Sequence, residues 1–190
     1  MLRLRAASPE LWLATVLDDF DTFLLDHAAA ERKASAVALS LITHYPDRSE
    51  LVDAMMEIAK EELDHFHQVY KVLAARGLIL AKDDKDAYVR ELRTLIRTGS
   101  DDYFLDRLLI AGIVEARGCE RFGLIADGLT DPELASFYKA IAASEARHDE
   151  VYTGLARTYF SNDKIDVRLD ALLDEEAKIM GGLAIRAALH

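Results

Sequence analysis

Apolar residues recur every three or four positions along most of the chain, the spacing of helices that bury one face. The stretch FDTFLLDHAAAERKASAVALSLITH combines this spacing with many Ala and Leu residues, which favour helices. Only three prolines and nine glycines interrupt the pattern over 190 residues. No stretch shows the convincing apolar–polar alternation of a strand, so the sequence predicts an all-α protein.

Capping residues and helix breakers set the expected helix boundaries. Ser8 is expected to cap a short first helix, and Asp47 and Glu50 to form a capping box. Ser100 is expected to cap a later long helix, and Gly77 to end an earlier one. The predicted helices cover about Ser8 to Leu17, Asp19 to His44, Asp47 to Arg76, Lys85 to Thr98, Asp101 to Ala126, Asp131 to Tyr159 and Ile165 to Ala188.

The long predicted helices form two antiparallel hairpins, separated by about two dozen residues that contain one short helix. This connectivity is typical of a four-helix bundle with one long crossover, to which the first and last helices are additions. The length suits one domain with a sizeable core, and no interdomain linker is evident. We therefore expect residues 1–190 to form a single domain.

Composition narrows the classes of function. The chain has 51% hydrophobic and 30% charged residues, which is typical of a globular protein, and a net charge of −11. Attraction to nucleic acid or to an anionic membrane is therefore not built into its bulk charge. Without a signal-like apolar region or a run long enough to span a membrane, the protein is expected to be cytoplasmic. A single cysteine, Cys119, leaves oxygen and nitrogen as the ligand atoms for any metal.

Two Glu-x-x-His motifs are the strongest chemical signal. Glu62 precedes His65, and Glu145 precedes His148, by three residues within predicted helices. Residues at this spacing lie on one helix face, so each pair can bind a common ion. Spacing alone also fits an ordinary solvated helix face, which is the structural alternative.

Two further glutamates repeat the arrangement. Glu31 lies 31 residues before Glu62, and Glu115 lies 30 residues before Glu145, each across a predicted hairpin turn. All four glutamates are then about 15 residues, or about 22 Å, from their turns. The sequence therefore predicts four carboxylates and two imidazoles at one level of the bundle, the pattern of ferritin-like di-iron and di-manganese proteins.

This set of side chains favours a pair of divalent ions. Four carboxylates balance four positive charges, and oxygen and nitrogen ligands suit iron or manganese. Gly112 and Gly118 disfavour a helix interior by about 1 kcal/mol each relative to Ala, so their presence beside Glu115 indicates a need for space.

Other residues near the motifs have less certain roles. Cys119 is expected to be an apolar filler, and His27, one turn before Glu31, is a candidate to contact that ligand. Glu120 and Asp149 are expected to be solvated charges. Arg117 and Arg121 are expected to pair with carboxylates inside the bundle. A basic stripe that either contacts phosphates or forms local ion pairs comprises Arg3, Arg5, Lys82, Lys85, Arg90, Arg93 and Arg97.

Five stretches together resemble the bacterial tRNA 2-methylthio-N6-isopentenyl-adenosine hydroxylase family of the ferritin-like superfamily. They are SPELWL, DHAAAERKA, EELDHF, IVEARGCERF and SEARHDEVY. The resemblance implies a ferritin-like four-helix bundle with two iron ions and dioxygen as co-substrate. It implies a monooxygenase that hydroxylates the isopentenyl group of the modified adenosine in the tRNA anticodon loop. The iron ligands that it implies are Glu31, Glu62, His65, Glu115, Glu145 and His148.

The hydroxylation would need electrons from a separate reductase or ferredoxin-like partner, because the sequence has no CxxC motif or nucleotide-binding glycine motif. Four alternatives stay open at this point. Three are another ferritin-like di-metal oxidase or oxygenase on a small substrate, a manganese catalase-like enzyme, and a ferroxidase of an iron-storage shell. The fourth is a helical interaction module without metal. The sequence does not decide between iron and manganese, nor the oligomeric state.

Overall fold

The computed structural model describes residues 2–82 and 86–190, and these residues form helices joined by turns and extended segments, without strands. Within this part of the chain, no helix is both long enough and apolar enough to cross a membrane. The helices are α1 (Glu10–Asp18), α2 (Phe20–His44), α3 (Ser49–Ala75), α4 (Ala87–Thr94), α5 (Ser100–Gly128), α6 (Pro132–Tyr159) and α7 (Asn162–Gly182).

The chain divides into two compact units. One contains the described residues of Met1–Leu17 and Lys85–Arg186 together with His190, and the other contains those of Asp18–Asp84 with Ala187–Leu189. The first unit thus holds α1 and α4 to α7, and the second holds α2 and α3. The expectation that residues 1–190 form a single domain stays a prediction.

Helices α2 and α3 form an antiparallel hairpin. The Asp19 carboxylate caps α2 by accepting a hydrogen bond from the Thr22 N–H. At the same end of the hairpin, Arg76 forms an ion pair of 2.6 Å with Asp21, and halfway along, Ser35 donates to the Ala59 carbonyl. These contacts fix the register in which α3 passes α2.

Helices α5 and α6 form the second hairpin. Asp131 caps α6 by accepting hydrogen bonds from the N–H groups of Glu133 and Leu134. At Gly112 of α5, a Cβ atom would lie 3.5 Å from the Tyr152 Cβ of α6, which is an ordinary van der Waals distance. The two helices therefore lie in direct contact at this position.

Buried ion pairs join the other helices of this unit to α5. Arg117 on α5 is fully buried and donates to the Glu176 carboxylate on α7, at 2.7 Å and 3.0 Å. Tyr88 on α4 donates to the same carboxylate oxygen. Nearer the start of α5, the buried Asp106 accepts hydrogen bonds from Arg97 and from Arg168 on α7. Burial alone would raise the pKa of Asp106, but these hydrogen bonds lower it below its usual range.

The structure confirms the predicted helical class, and most helix boundaries agree within a few residues. The helices predicted to start at Asp19 and Asp131 begin one residue later, and both aspartates cap them. Gly77, with a φ of +72°, follows α3 as expected. The predicted starting residue Lys85 of the fourth helix lies outside the described residues.

Three predicted caps are wrong. Helix α1 begins at Glu10, and Ser8 donates its backbone N–H and hydroxyl to Glu120 of α5. Asp47 lies inside a turn closed by the hydrogen bond from the Arg48 N–H to the Tyr45 carbonyl, so α3 begins only at Ser49. Ser100 is the first residue of α5 rather than its cap.

Two helices end earlier than predicted. Helix α4 ends at Thr94 instead of Thr98, because the Arg97 N–H bonds to the Asp106 carboxylate rather than continuing the helix. Helix α7 ends at Gly182 instead of Ala188, where two consecutive glycines weaken the helix.

Glu176→Gln should destabilise the unit that contains α5 and α7, since it leaves the buried Arg117 guanidinium without its fully buried anionic partner. We expect the free energy of unfolding, measured with urea, to fall by about 3 kcal/mol. Glu175→Gln, which removes a partly exposed partner of Lys178, should change it by less than about 1 kcal/mol. Equal effects of the two substitutions would contradict this role of the buried pair.

Candidate metal centre

The α2–α3 hairpin holds a buried trio of Glu31, Glu62 and His65. The His65 Nδ1 atom lies 3.7 Å from Glu31 Oε2 and 3.4 Å from Glu62 Oε2. One ligand atom from each residue lies within 4.8 Å of the other two, and none of the three residues is more than 8% exposed. Glu62 and His65 are three residues apart on one face of α3, whereas Glu31 reaches the trio from α2. This hairpin therefore brings together the ligands that were predicted from its sequence.

The two carboxylates of this trio stabilise a positive charge on the histidine between them. Burial alone would lower the pKa of His65, but hydrogen bonding and attraction to Glu31 and Glu62 raise it to about 9. Burial alone would likewise raise the pKa of Glu31, but its contacts with His27 and His65 hold that pKa well below its usual range. The carboxylate of Glu31 is consequently ionised although it is buried.

The α5–α6 hairpin holds a second buried trio, which consists of Glu115, Glu145 and His148. The His148 Nδ1 atom lies 3.8 Å from Glu115 Oε2. One ligand atom from each of the three residues lies within 4.8 Å of the others, and each residue is at least 94% buried. The pattern of the first trio is thus repeated, with a lone glutamate on one helix and a Glu-x-x-His pair on the next.

Gly118 explains how α5 accommodates this second trio. A Cβ atom at this position would lie 3.3 Å from Glu145 Oε2, closer than side chains normally approach. Replacing the glycine would therefore press on the Glu145 carboxylate. The prediction that Gly118 provides space beside the motifs is confirmed.

The chemistry of both trios fits a divalent metal ion. In each, two carboxylates and one imidazole are crowded within a few ångströms of one another and shielded from water. Adjacent buried carboxylates repel each other and lose hydration, and a bound cation offsets both costs. Oxygen and nitrogen donors without a thiolate suit iron or manganese. Metal binding by these six residues stays a prediction, although each trio is assembled.

His27 makes the closest polar contact to any of the six residues among the described hydrogen bonds. Its Nε2 atom lies 2.6 Å from Glu31 Oε1, and its side chain is fully buried. The sequence indicated this contact through the spacing of one helical turn. Cys119, by contrast, is half-buried, and burial raises the pKa of its thiol.

Two acidic residues that were predicted to be solvated charges instead form hydrogen bonds within the protein. Asp149 is fully buried and accepts a hydrogen bond from the Leu2 N–H. Glu120 accepts hydrogen bonds from Ser8 and Arg117. Helical spacing offered a signal for both, because Asp149 lies four residues after Glu145 and Glu120 lies three residues after Arg117.

The predicted pairing of arginines with buried carboxylates is confirmed for Arg117 by its contact with Glu176. Arg121 stacks on Trp12, with its guanidinium carbon 4.4 Å from the ring centre, and donates to Ser8. Burial and the nearby Arg117 charge lower the pKa of Arg121 to about 10.

The predicted basic stripe is only partly available to a polyanion. Arg5 pairs with Asp170 and Asp174. Arg90 and Arg97 pair with Glu91 and Asp106, respectively. Lys85 lies outside the described residues. The remaining members, whose side chains are exposed, are Arg3, Lys82 and Arg93.

Comparisons with known proteins identify the family to which the chain is similar. The family described as tRNA-(MS[2]IO[6]A)-hydroxylase (MiaE) matches residues 2–190. The tRNA 2-(methylsulfanyl)-N(6)-isopentenyladenosine(37) hydroxylase of Pseudomonas putida is 38% identical over 160 residues, which are 84% of this chain and 77% of that protein. The hydroxylase of the same name from Salmonella typhimurium is 34% identical over 155 residues, 82% of this chain but only 56% of that longer protein.

A solved structure shares the fold. It is described as Protein 43 with aldehyde deformylating oxygenase activity from Synechococcus, and it is 34% identical with a TM-score of 0.95 over 100% of this chain and 96% of that one. This likeness confirms the predicted ferritin-like helical fold. Because the family match covers nearly every residue, the chain belongs to the tRNA-(MS[2]IO[6]A)-hydroxylase family.

Proposed function

We propose that this chain is a di-iron, dioxygen-dependent monooxygenase that hydroxylates the isopentenyl group of 2-methylthio-N6-isopentenyl adenosine in tRNA. The substrate follows from membership of the family and from the names of the two relatives. The observation that carries the chemistry is the pair of matched, buried trios, each with two glutamates and one histidine. A cytoplasmic location, where tRNA is modified, is part of the proposal.

In this proposal, two iron ions are held by Glu31, Glu62 and His65 together with Glu115, Glu145 and His148. When bound, the iron ions supply dioxygen activation and the oxidation of a C–H bond of the isopentenyl group. The glutamates neutralise the ions, the histidines complete the ligand set, and burial excludes water from both trios. Gly118 keeps the space that Glu145 needs.

Hydroxylation consumes one dioxygen, two electrons and two protons for each alcohol and water formed. The 190 residues contain one cysteine, which is too few for a thiolate-bound iron–sulfur centre. We therefore propose that a separate reductase or ferredoxin-like protein supplies the two electrons.

Binding of tRNA must overcome the net charge of −11. Arg3, Lys82 and Arg93 are exposed cations of the predicted stripe, and we propose that they contact phosphates of the anticodon arm. The modified adenosine would have to leave the stack of its loop to reach a buried centre, as bases do in other enzymes that act on them.

A second candidate function is oxidation of a small aldehyde. The specific observation in its favour is the solved structure with aldehyde deformylating oxygenase activity, which shares 34% identity and the whole fold. Incubation of iron-loaded protein with small aliphatic aldehydes, a reductant and dioxygen separates the two candidates. Release of formate at a rate above that of tRNA hydroxylation would favour an aldehyde as the substrate.

Glu62→Gln should impair iron binding, because it removes one of the negative charges that balance the ions. We expect about two iron ions per chain in the wild-type protein after anaerobic loading and gel filtration, and fewer than one in the variant. The matched control is Glu57→Gln on the same helix, where an exposed carboxylate contacts only Lys60 among the described ion pairs. Equal iron contents in the two variants would show that Glu62 is not a ligand.

Production of the chain in bacteria that make 2-methylthio-N6-isopentenyl adenosine but lack a hydroxylase should yield the hydroxylated nucleoside. Mass spectrometry of digested tRNA measures it directly. Glu145→Gln should lower the product at least about 100-fold, whereas Glu150→Gln, an exposed residue of the same helix, should leave it unchanged. If iron-loaded wild-type protein gives no hydroxylated nucleoside, the substrate assignment fails while the metal assignment stands.

A further inference from the structure

His27 is the best placed of the polar residues that surround the two trios without belonging to them. It lies on α2 one turn before Glu31, its side chain is fully buried, and its ring stacks on Phe23 with 5.7 Å between ring centres. Packing of this kind leaves the imidazole little freedom to turn. Its Nε2 atom is therefore held at 2.6 Å from Glu31 Oε1.

The direction of this hydrogen bond follows from the two groups. An ionised carboxylate only accepts hydrogen bonds, so the imidazole donates from Nε2. Oε1 of Glu31 is thereby engaged with His27, and Oε2 is the oxygen that faces His65 Nδ1, at 3.7 Å. The two oxygens of one ligand carboxylate thus have different neighbours.

The second hairpin lacks this feature, although its ligand pattern is the same. The residue four positions before Glu115 is Ala111, whose methyl side chain donates no hydrogen bond. His148 lies 3.8 Å from Glu115 Oε2, much as His65 lies from Glu31 in the first hairpin. The carboxylates of Glu31 and Glu115 therefore differ in the side chain that lies one helical turn before them.

We propose that His27 is a positioning residue that fixes Glu31 and makes the metal position of the α2–α3 trio different from that of the α5–α6 trio. The inference rests on the proposed function, since it presupposes that both trios bind iron. Hydrogen-bonding partners of metal ligands typically change metal affinity 10- to 100-fold when they are removed. The effect should fall on one of the two ions, because the residue at the same position before Glu115 is Ala111, whose side chain offers no donor.

His27→Phe tests this role, since it keeps a ring to stack on Phe23 but removes the donor. We expect anaerobic titration of the metal-free full-length protein with iron(II) to give one dissociation constant raised about 10- to 100-fold and the other changed less than about threefold. His27→Gln, whose side-chain amide keeps a donor, should restore most of the lost affinity. His67→Phe on α3 is the matched control, because His67 is exposed and should leave both constants unchanged.

Unchanged affinities in His27→Phe, or an equal loss at both positions, would overturn the inference. If the wild-type protein itself bound no iron, the proposed function would fail instead, so the two failures are distinguishable. A measurement on the wild-type protein covers the case in which the variant does not fold. Mössbauer spectra of protein loaded with iron-57 should show two quadrupole doublets of equal area, and a single doublet would contradict the inequivalence.

Discussion

Burial of carboxylates is the constraint on which the rest of this structure depends. Glu31, Glu62, Glu115 and Glu145 are each at least 94% buried, and each is crowded by another carboxylate of its own trio. Such groups repel one another and lose hydration, and one histidine per trio offsets only part of that cost. The raised pKa of His65, about 9, is a direct expression of the demand for positive charge. A divalent ion in each trio meets the same demand more fully.

The unit that contains α1 and α4 to α7 supports the trio of Glu115, Glu145 and His148 through contacts outside that trio. Gly118 leaves room on α5 for the Glu145 carboxylate of α6, at a cost of about 1 kcal/mol in helix propensity. The Arg117–Glu176 pair joins α5 to α7, and Asp106 joins α5 to α7 and to the segment after α4. These buried charges are paired within the unit and lie outside the trio, so α5 is anchored by contacts that do not compete with Glu115 for its partners.

Helical periodicity and spacing were sufficient to predict the seven helices found among the described residues and the residues that meet in each trio. They succeeded because a ligand pair at three-residue spacing and a partner across a hairpin are local properties of helices. The errors came from tertiary contacts. Ser8 bonds to Glu120, more than a hundred residues away, and the Arg97 N–H is diverted to Asp106, so propensity alone gave the wrong cap and the wrong helix end. Asp149 was misplaced because its burial depends on the N-terminal segment at Leu2.

The central claim is that the two trios are metal sites, and anomalous X-ray diffraction at the iron absorption edge tests it most directly. Crystals of protein loaded with iron(II) without oxygen should show two anomalous peaks, one within bonding distance of Glu31, Glu62 or His65 and one within bonding distance of Glu115, Glu145 or His148. Anomalous density elsewhere, or none at either trio in protein shown to be folded and exposed to iron, would contradict the account.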